Sequence, residues 1–243
     1  MSPIFNIMKN PLTLRADGLT YQLVGMLNKT RSSELPDTKR KLLEAGVTLM
    51  RARGFNATSV DDICSSAGVT KGGFFHYFKS KDELAKAALQ RFCEGKAVEY
   101  ATAAFHQMAD PLDRVYGRLE YASESVGGTK RLTRGCLVGM LAQELSSSNP
   151  EMRGLCQEAF LRIATNFEKD LAEAKAMYAP DADFDPQKLA MFYVSFFQGS
   201  SLIARAANSN TVLIDNLTQF RRYLQTLFGA SKHSREPVLA AGH

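Results

Sequence analysis

The feature that most constrains this chain is the stretch from residue 38 to residue 91, where short helical segments follow one another, each with its own start and stop signal. In Thr38 to Arg53, Leu42, Ala45, Leu49 and Met50 recur at helical spacing, so one face is apolar. Gly54 follows as a stop signal, and Phe55 is placed to fold back onto that face. Thr58 is the expected N-cap of a second helix whose apolar stripe is Val60, Ile63 and Ala67. Gly68 closes it. Ala67-Gly68-Val69-Thr70 is just long enough to reverse direction, and Thr70 caps a third, shorter helix running from Lys71 to Phe78. Ser80 and Glu83 have the Ser-x-x-Glu spacing of a capping box, which starts a fourth helix at Lys81. Helices this short cannot bury a face alone, so the stretch is expected to fold as a small helix-turn-helix unit.

The third helix is weak as a purely structural element. Gly72 and Gly73 sit near its start, and glycine forfeits about 1 kcal/mol relative to alanine in a helix interior. Close approach of the backbone to something flat or charged is a reason to accept that loss. Lys71, His76 and Tyr77 supply donors for phosphate oxygens, and the positive end of the helix dipole points the same way. Double-stranded DNA uses all of these together. The charge distribution agrees: residues 37 to 92 hold 10 Lys and Arg against 6 Asp and Glu, whereas residues 93 to 243 hold 16 against 17. Phosphate neutralisation would therefore come from the amino-terminal end.

Gly54-Phe55, Ala57-Thr58-Ser59-Val60, Ile63, Ala67-Gly68-Val69-Thr70-Lys71-Gly72 and His76-Tyr77-Phe78-x-Ser80-Lys81-x-Glu83-Leu84, in this order, resemble the TetR-type one-component transcriptional repressors. The resemblance implies an all-α protein: an N-terminal three-helix helix-turn-helix DNA-binding domain, then a larger helical ligand-binding and dimerisation domain. It also implies a recognition helix at residues 70 to 77. Lys71 and Gly73 would face base edges, Tyr77 and Lys81 would hold phosphates, and Thr58 would touch the DNA backbone. Thr70, Gly72, Phe75 and His76 complete the expected DNA-binding set. Phe75 replaces the commoner tyrosine, so it cannot donate to a phosphate, although its ring can meet a thymine methyl.

The expected organisation is an N-terminal extension at residues 1–37 without fixed structure, the DNA-binding domain at 38–84, an effector-binding and dimerisation domain at 85–229, and a flexible tail at 230–243. Lys81 to His106 reads as one long connecting helix, and Pro111 starts the next. Asn149-Pro150 opens a helix reaching about Tyr178. Two more run from Pro186 to Asn208 and from Thr211 to Phe228. In the family it resembles, the last pair forms a four-helix bundle with a second copy, so a homodimer through these two helices is expected. No apolar run reaches the roughly 20 residues that cross a bilayer, and the first residues lack a secretory hydrophobic stretch, so a cytoplasmic protein without membrane contact is expected.

Arg134-Gly135-Cys136-Leu137-Val138-Gly139-Met140 is similar to a segment that lines or abuts the effector cavity in one subgroup of such repressors, where some members sense electrophiles or oxidants through cysteine. Cys136 is therefore a candidate sensor if Arg131, Arg134 or a helix N-terminus lowers its thiol pKa; a small buried hydrophobe is the plainer role. A small-molecule effector is expected in a cavity with Tyr116, Cys136, Met140, Phe160, Phe192 and Phe196, the aromatic and soft side chains of the central helices. Cys64, Cys93 and Cys156 read as core residues, and no cysteine or histidine spacing suggests a metal or other cofactor. No nucleophile elbow, phosphate-binding glycine loop or His-Glu-x-x-His pair supports an enzyme. A ligand-independent nucleoid-type protein would spread basic residues over the whole chain. The expected function is a ligand-responsive regulator of transcription, a dimeric repressor released from a palindromic operator, with an activator of the same fold as the alternative.

Overall fold

The computed structural model describes residues 35–127 and 135–229. Among the described residues every regular element is helical. The order is α1 (Asp37–Arg53), α2 (Val60–Ala67), α3 (Lys71–Tyr77), α4 (Lys81–Ala101), a 3-10 turn (Ala104–Gln107), α5 (Pro111–Gly127), α6 (Leu137–Leu145), α7 (Pro150–Tyr178), α8 (Pro186–Ala207) and α9 (Thr211–Phe228). The expectations for residues 1–34 and 230–243, and the roles of Arg131 and Arg134 beside Cys136, fall outside the described residues.

Most helix starts follow from local side-chain chemistry. The Asn149 side chain accepts from Met152 N–H with Pro150 behind it, and the Asp185 carboxylate accepts from Gln187 and Lys188 N–H ahead of the rest of α8. Three expectations need correction. Thr58 is not the cap of α2: its side chain is fully buried and its hydroxyl donates to the Gly54 carbonyl at 2.6 Å, while Ser59 forms a capping box with Asp62. At α4 the Ser80 side chain does accept from Glu83 N–H, but the Glu83 carboxylate reaches back to Lys79 N–H instead of Ser80. The long helix from Lys81 to His106 ends at Ala101. There the Thr102 hydroxyl donates to the Val98 and Glu99 carbonyls, and the chain turns so that Phe105 packs against Tyr100 and Tyr121.

Two apolar cores hold the molecule. The first joins Leu42, Met50, Phe55, Ile63, Phe74, Phe78 and Leu84 of the amino-terminal helices to Leu137 and Leu141 of α6 and to Met152 and Cys156 of α7. The head therefore shares a core with α6 and the start of α7. The second core is built from α5, the rest of α7, α8 and α9, around Leu112, Phe167, Leu171, Tyr193, Leu217 and Phe220. Burial pushes the Tyr193 phenol up to about 12. Between α5 and α7, Asp170 is buried and accepts from Arg114 at 2.9 Å and Arg118 at 3.3 Å, so the two guanidiniums compensate its desolvation. Arg118 is itself sandwiched between Tyr100 and Phe167, at 4.5 and 4.6 Å from the ring centroids.

Candidate DNA-binding and effector sites

The helix-turn-helix is α2, the turn through Gly68, and α3. Gly68 adopts the left-handed conformation at φ 64° that closes α2 economically, and the Thr70 hydroxyl accepts from Gly73 N–H to start α3. Phe74 anchors α3 in the core, which leaves Thr70, Lys71, Gly72, Phe75 and His76 exposed and Tyr77 half-buried. Phe75 is 55 % exposed, and an apolar ring held at that exposure suits a partner surface.

The two glycines of α3 prove unequal. A Cβ at Gly73 would meet Val69 Cγ1 at 2.8 Å, so the chain's own tight turn requires glycine there. At Gly72 the nearest neighbour of such a Cβ is Thr70 Oγ1 at 3.9 Å, so the packing of the chain itself does not require glycine there. Lys71 pairs with Asp61 at 2.8 Å, both side chains lying well out in solvent, where such a pair is worth little and exchanges readily for a phosphate or base.

Lys81 has a different task from the expected phosphate contact. Its ammonium donates to the Phe55 carbonyl at 2.9 Å and the Thr58 carbonyl at 2.8 Å, and lies 4.0 Å from the Phe55 ring centroid. It clamps the start of α4 to the turn between α1 and α2. Thr58, turned inward as described, offers no side-chain atom to DNA; the exposed hydroxyl at the start of α2 is that of Ser59. Ser59 and Arg53 also hold the Asp62 carboxyl down at about 2.

A cavity of about 240 Å³ lies between α6 and α8. Gly135, Cys136, Gly139, Met140, Gln143 and Glu144 line one wall, and Gln198, Ser201, Leu202 and Arg205 the other. Of the expected effector residues only Cys136 and Met140 meet here. Tyr116 is buried in the second core under the Arg221 guanidinium, Phe160 lies where the two cores meet, and Phe196 packs on Tyr193 and Phe220. Phe192 is 52 % exposed on the outer face of α8. Helical periodicity marks an apolar face but not what covers it, so it could tell neither the inner side of α8 from the outer nor a core position such as Tyr116 from a cavity wall. Cys136 precedes α6, and its Sγ accepts from Gln198 Nε2 at 3.5 Å. Cys156 is buried nearby and its thiol is pushed up to about 11 by desolvation.

Sequence reasoning missed Glu144 and Arg205. The Glu144 carboxylate accepts from Phe55 N–H at 3.1 Å and Asn56 N–H at 2.7 Å, and the Arg205 guanidinium donates to the Ala52 carbonyl at 3.0 Å. A third link joins Arg51 Nε to the Gly135 carbonyl at 2.9 Å. A Cβ on Gly54, whose φ is 98°, would overlap the Glu144 carboxylate, so that glycine serves both the turn and this contact. No sequence signal marks these pairs, because the partners lie 84 to 153 positions apart.

Two family models match along the chain: the TetR family of bacterial regulatory proteins over residues 42–88, and the carboxy-terminal domain of LmrA/YxaF-like transcriptional regulators over 111–219. Together they take in both the helix-turn-helix and the larger helical part. The chain belongs to the TetR family. This TetR-family protein is similar to the transcriptional repressor DhaR of Mycobacterium sp. (strain GP1), 26 % identical over 74 % of this chain and 88 % of the relative. It is also similar to the transcriptional regulator AcuR of Cereibacter sphaeroides, 28 % identical over 68 % of this chain and 75 % of that one. In three dimensions it matches the crystal structure of a regulatory protein TetR from Rhodobacter sphaeroides, with a TM-score of 0.68, 27 % identity, and coverage of 78 % of this chain and 98 % of that one. The two family models meet the two halves of the molecule that share the first core, so in this TetR-family protein the head and α6 form one packed unit. Among the described residues no helix is long and apolar enough to cross a membrane, and no cluster of His, Cys, Asp and Glu is arranged to hold a metal ion.

Proposed function

We propose that the protein is a dimeric repressor of transcription, acting in the cytoplasm, that binds a palindromic operator through α3 and leaves it when a small molecule occupies the cavity between α6 and α8. The observation that carries the reading is the outward face of α3. Thr70, Lys71, Gly72, Phe75 and His76 are exposed on a helix whose other side is fixed by Phe74. Lys71 is the one side chain of that face suited to a bidentate-type contact with guanine, with Phe75 against a thymine methyl and His76 and Tyr77 toward phosphates. Gly72 permits close approach of the backbone.

A single helix of this length binds a duplex weakly, and two copies in successive major grooves about 34 Å apart multiply the affinity. The outer faces of α8 and α9 supply a surface for pairing. Phe192 and Ile203 of α8 are each about half exposed, as is Tyr223 of α9, and Gly199 between Phe192 and Ile203 leaves room for a neighbouring helix. Burying these apolar side chains against a second copy would form a four-helix bundle. The names of relatives such as DhaR favour repressor over activator.

The reading is tested by selecting bound fragments from the source genome with the full chain. A palindromic site, a complex containing two chains, and loss of site discrimination in Lys71→Ala are expected. A chain that stays monomeric at micromolar concentration and shows no salt-sensitive affinity for any duplex would refute it.

A further inference from the structure

We infer that the cavity between α6 and α8 takes a small organic carboxylate, bound through Arg205, and that this ligand acts on the head by drawing Arg205 off the end of α1. The inference rests on the reading of this cavity as the effector site.

The lining is chemically lopsided. Gln143 and Gln198 carry neutral amide donors, the Ser201 hydroxyl is spent on the Phe197 carbonyl, Met140, Leu202 and Cys136 supply an apolar wall, and Arg205 is the cation. Among the described residues Arg205 contacts no carboxylate: its guanidinium donates to Met140 Sδ at 2.8 Å and to the Ala52 carbonyl at 3.0 Å, both neutral acceptors. A thioether is a weak acceptor for a guanidinium, so a carboxylate oxygen would replace it with a charge-assisted bond. Glu144 also lines the cavity, but its two oxygens are turned to Phe55 and Asn56 N–H of the head. At about 240 Å³ the space falls below the roughly 300 to 1,000 Å³ that holds drug-sized ligands, which limits the occupant to a compact molecule.

The same residues that line the cavity fasten the DNA-binding head. Arg205 holds the Ala52 carbonyl, Gly135 accepts from Arg51, and Glu144 holds the turn after α1. Lys81 grips the other side of that turn through the Phe55 and Thr58 carbonyls. A carboxylate bound bidentately across both terminal nitrogens of Arg205 displaces Met140 Sδ from one and the Ala52 carbonyl from the other, loosens the end of α1, and so changes the pose of α2 and α3. The differential contact that a ligand must make in two states is thus the guanidinium nitrogen that holds either the Ala52 carbonyl or the second oxygen of the carboxylate.

The test is calorimetric titration of the full chain with butyrate and benzoate against their uncharged counterparts butyramide and benzamide, paired with hydrogen exchange at the Phe55 and Asn56 amides. We expect the carboxylates to bind about tenfold or more tightly than the amides. Arg205→Gln should remove that preference, and a saturating carboxylate should speed exchange at the two amides in the wild-type chain. Equal binding of acids and amides, or a preference that survives Arg205→Gln in a variant of unchanged helical content, overturns the carboxylate assignment while leaving the cavity as a ligand site. Carboxylate binding that persists when Ser201→Phe fills the space, or no binding by any of the four compounds, overturns the cavity itself. Unaltered exchange at Phe55 and Asn56 with carboxylate bound overturns the link to the head.

Discussion

Lys81→Met separates the clamp described for Lys81 from a phosphate contact, because methionine keeps most of the stem while removing the ammonium. The charged donor makes two hydrogen bonds, to the Phe55 and Thr58 carbonyls, and faces the Phe55 ring at 4.0 Å. Bonds to charged groups contribute about 1.5 to 3 kcal/mol each in buried settings. Lys81 is only half-buried, so about 1 kcal/mol each is the appropriate scale, with about 0.5 kcal/mol more from the ring. The expected loss is therefore about 2 to 3 kcal/mol, concentrated in the head. Urea unfolding followed by far-ultraviolet dichroism should show the midpoint falling, and amide exchange should quicken in α2 before α7. Binding to a selected operator fragment should weaken because the head is looser. The slope of log K against log salt should stay nearly constant, because an ammonium engaged within the protein releases no counterion from DNA. Loss of one phosphate contact would lower that slope by about 0.9. A slope reduced by that amount, with stability unchanged, would refute the clamp and restore Lys81 to the DNA surface.

Other perturbations have equally definite outcomes. Asp170→Asn removes the buried carboxylate that Arg114 and Arg118 share, leaving Arg114 its pair with Glu173 but Arg118 buried without that anion, and should destabilise the chain by about 3 kcal/mol in urea unfolding; a loss under about 1 kcal/mol would mean the network contributes little. Asp62 should titrate at about 2, in nuclear magnetic resonance, because Ser59 and Arg53 favour its carboxylate. Since that folded value lies below the usual 3.8, the stabilisation from the α2 capping box is complete above about pH 4 and disappears as pH falls toward 2; a normal titration would count against the box. Iodoacetamide at neutral pH should label Cys136, at the cavity edge, before Cys156, whose buried thiol is held up at about 11, and mass mapping that finds the reverse order would contradict this placement.

What could be read in the residues and what could not divides along range. Asn149 before Pro150, Thr70 before Lys71 and Ser80 before Lys81 were legible as helix starts because a cap acts on backbone N–H groups two or three residues away. Even there, Thr58 and Ser59 were confused: both side chains can cap, and the choice fell to whichever hydroxyl the packed turn left outside. The exposure of Thr70, Lys71, Gly72, Phe75 and His76 on α3 was also legible, but Gly73, expected at base edges, turns toward Val69 once the buried Phe74 fixes the rotation of the helix. The effector list was mostly not, because Phe192 and Phe196 share one apolar stripe, and only neighbouring helices decide which side of it meets solvent.

The sequence by itself determined an all-helical chain with a charged, glycine-softened helix near its front, since periodicity, caps and stop residues act within a turn or two. Tertiary structure alone decided that Lys81 faces carbonyls, that Gly54 makes room for Glu144, and that Arg205 reaches Ala52 from 153 positions away. Hydrogen bonds extend only about 3 Å, so partners so far apart in the chain are chosen by how the helices pack, which no local pattern encodes.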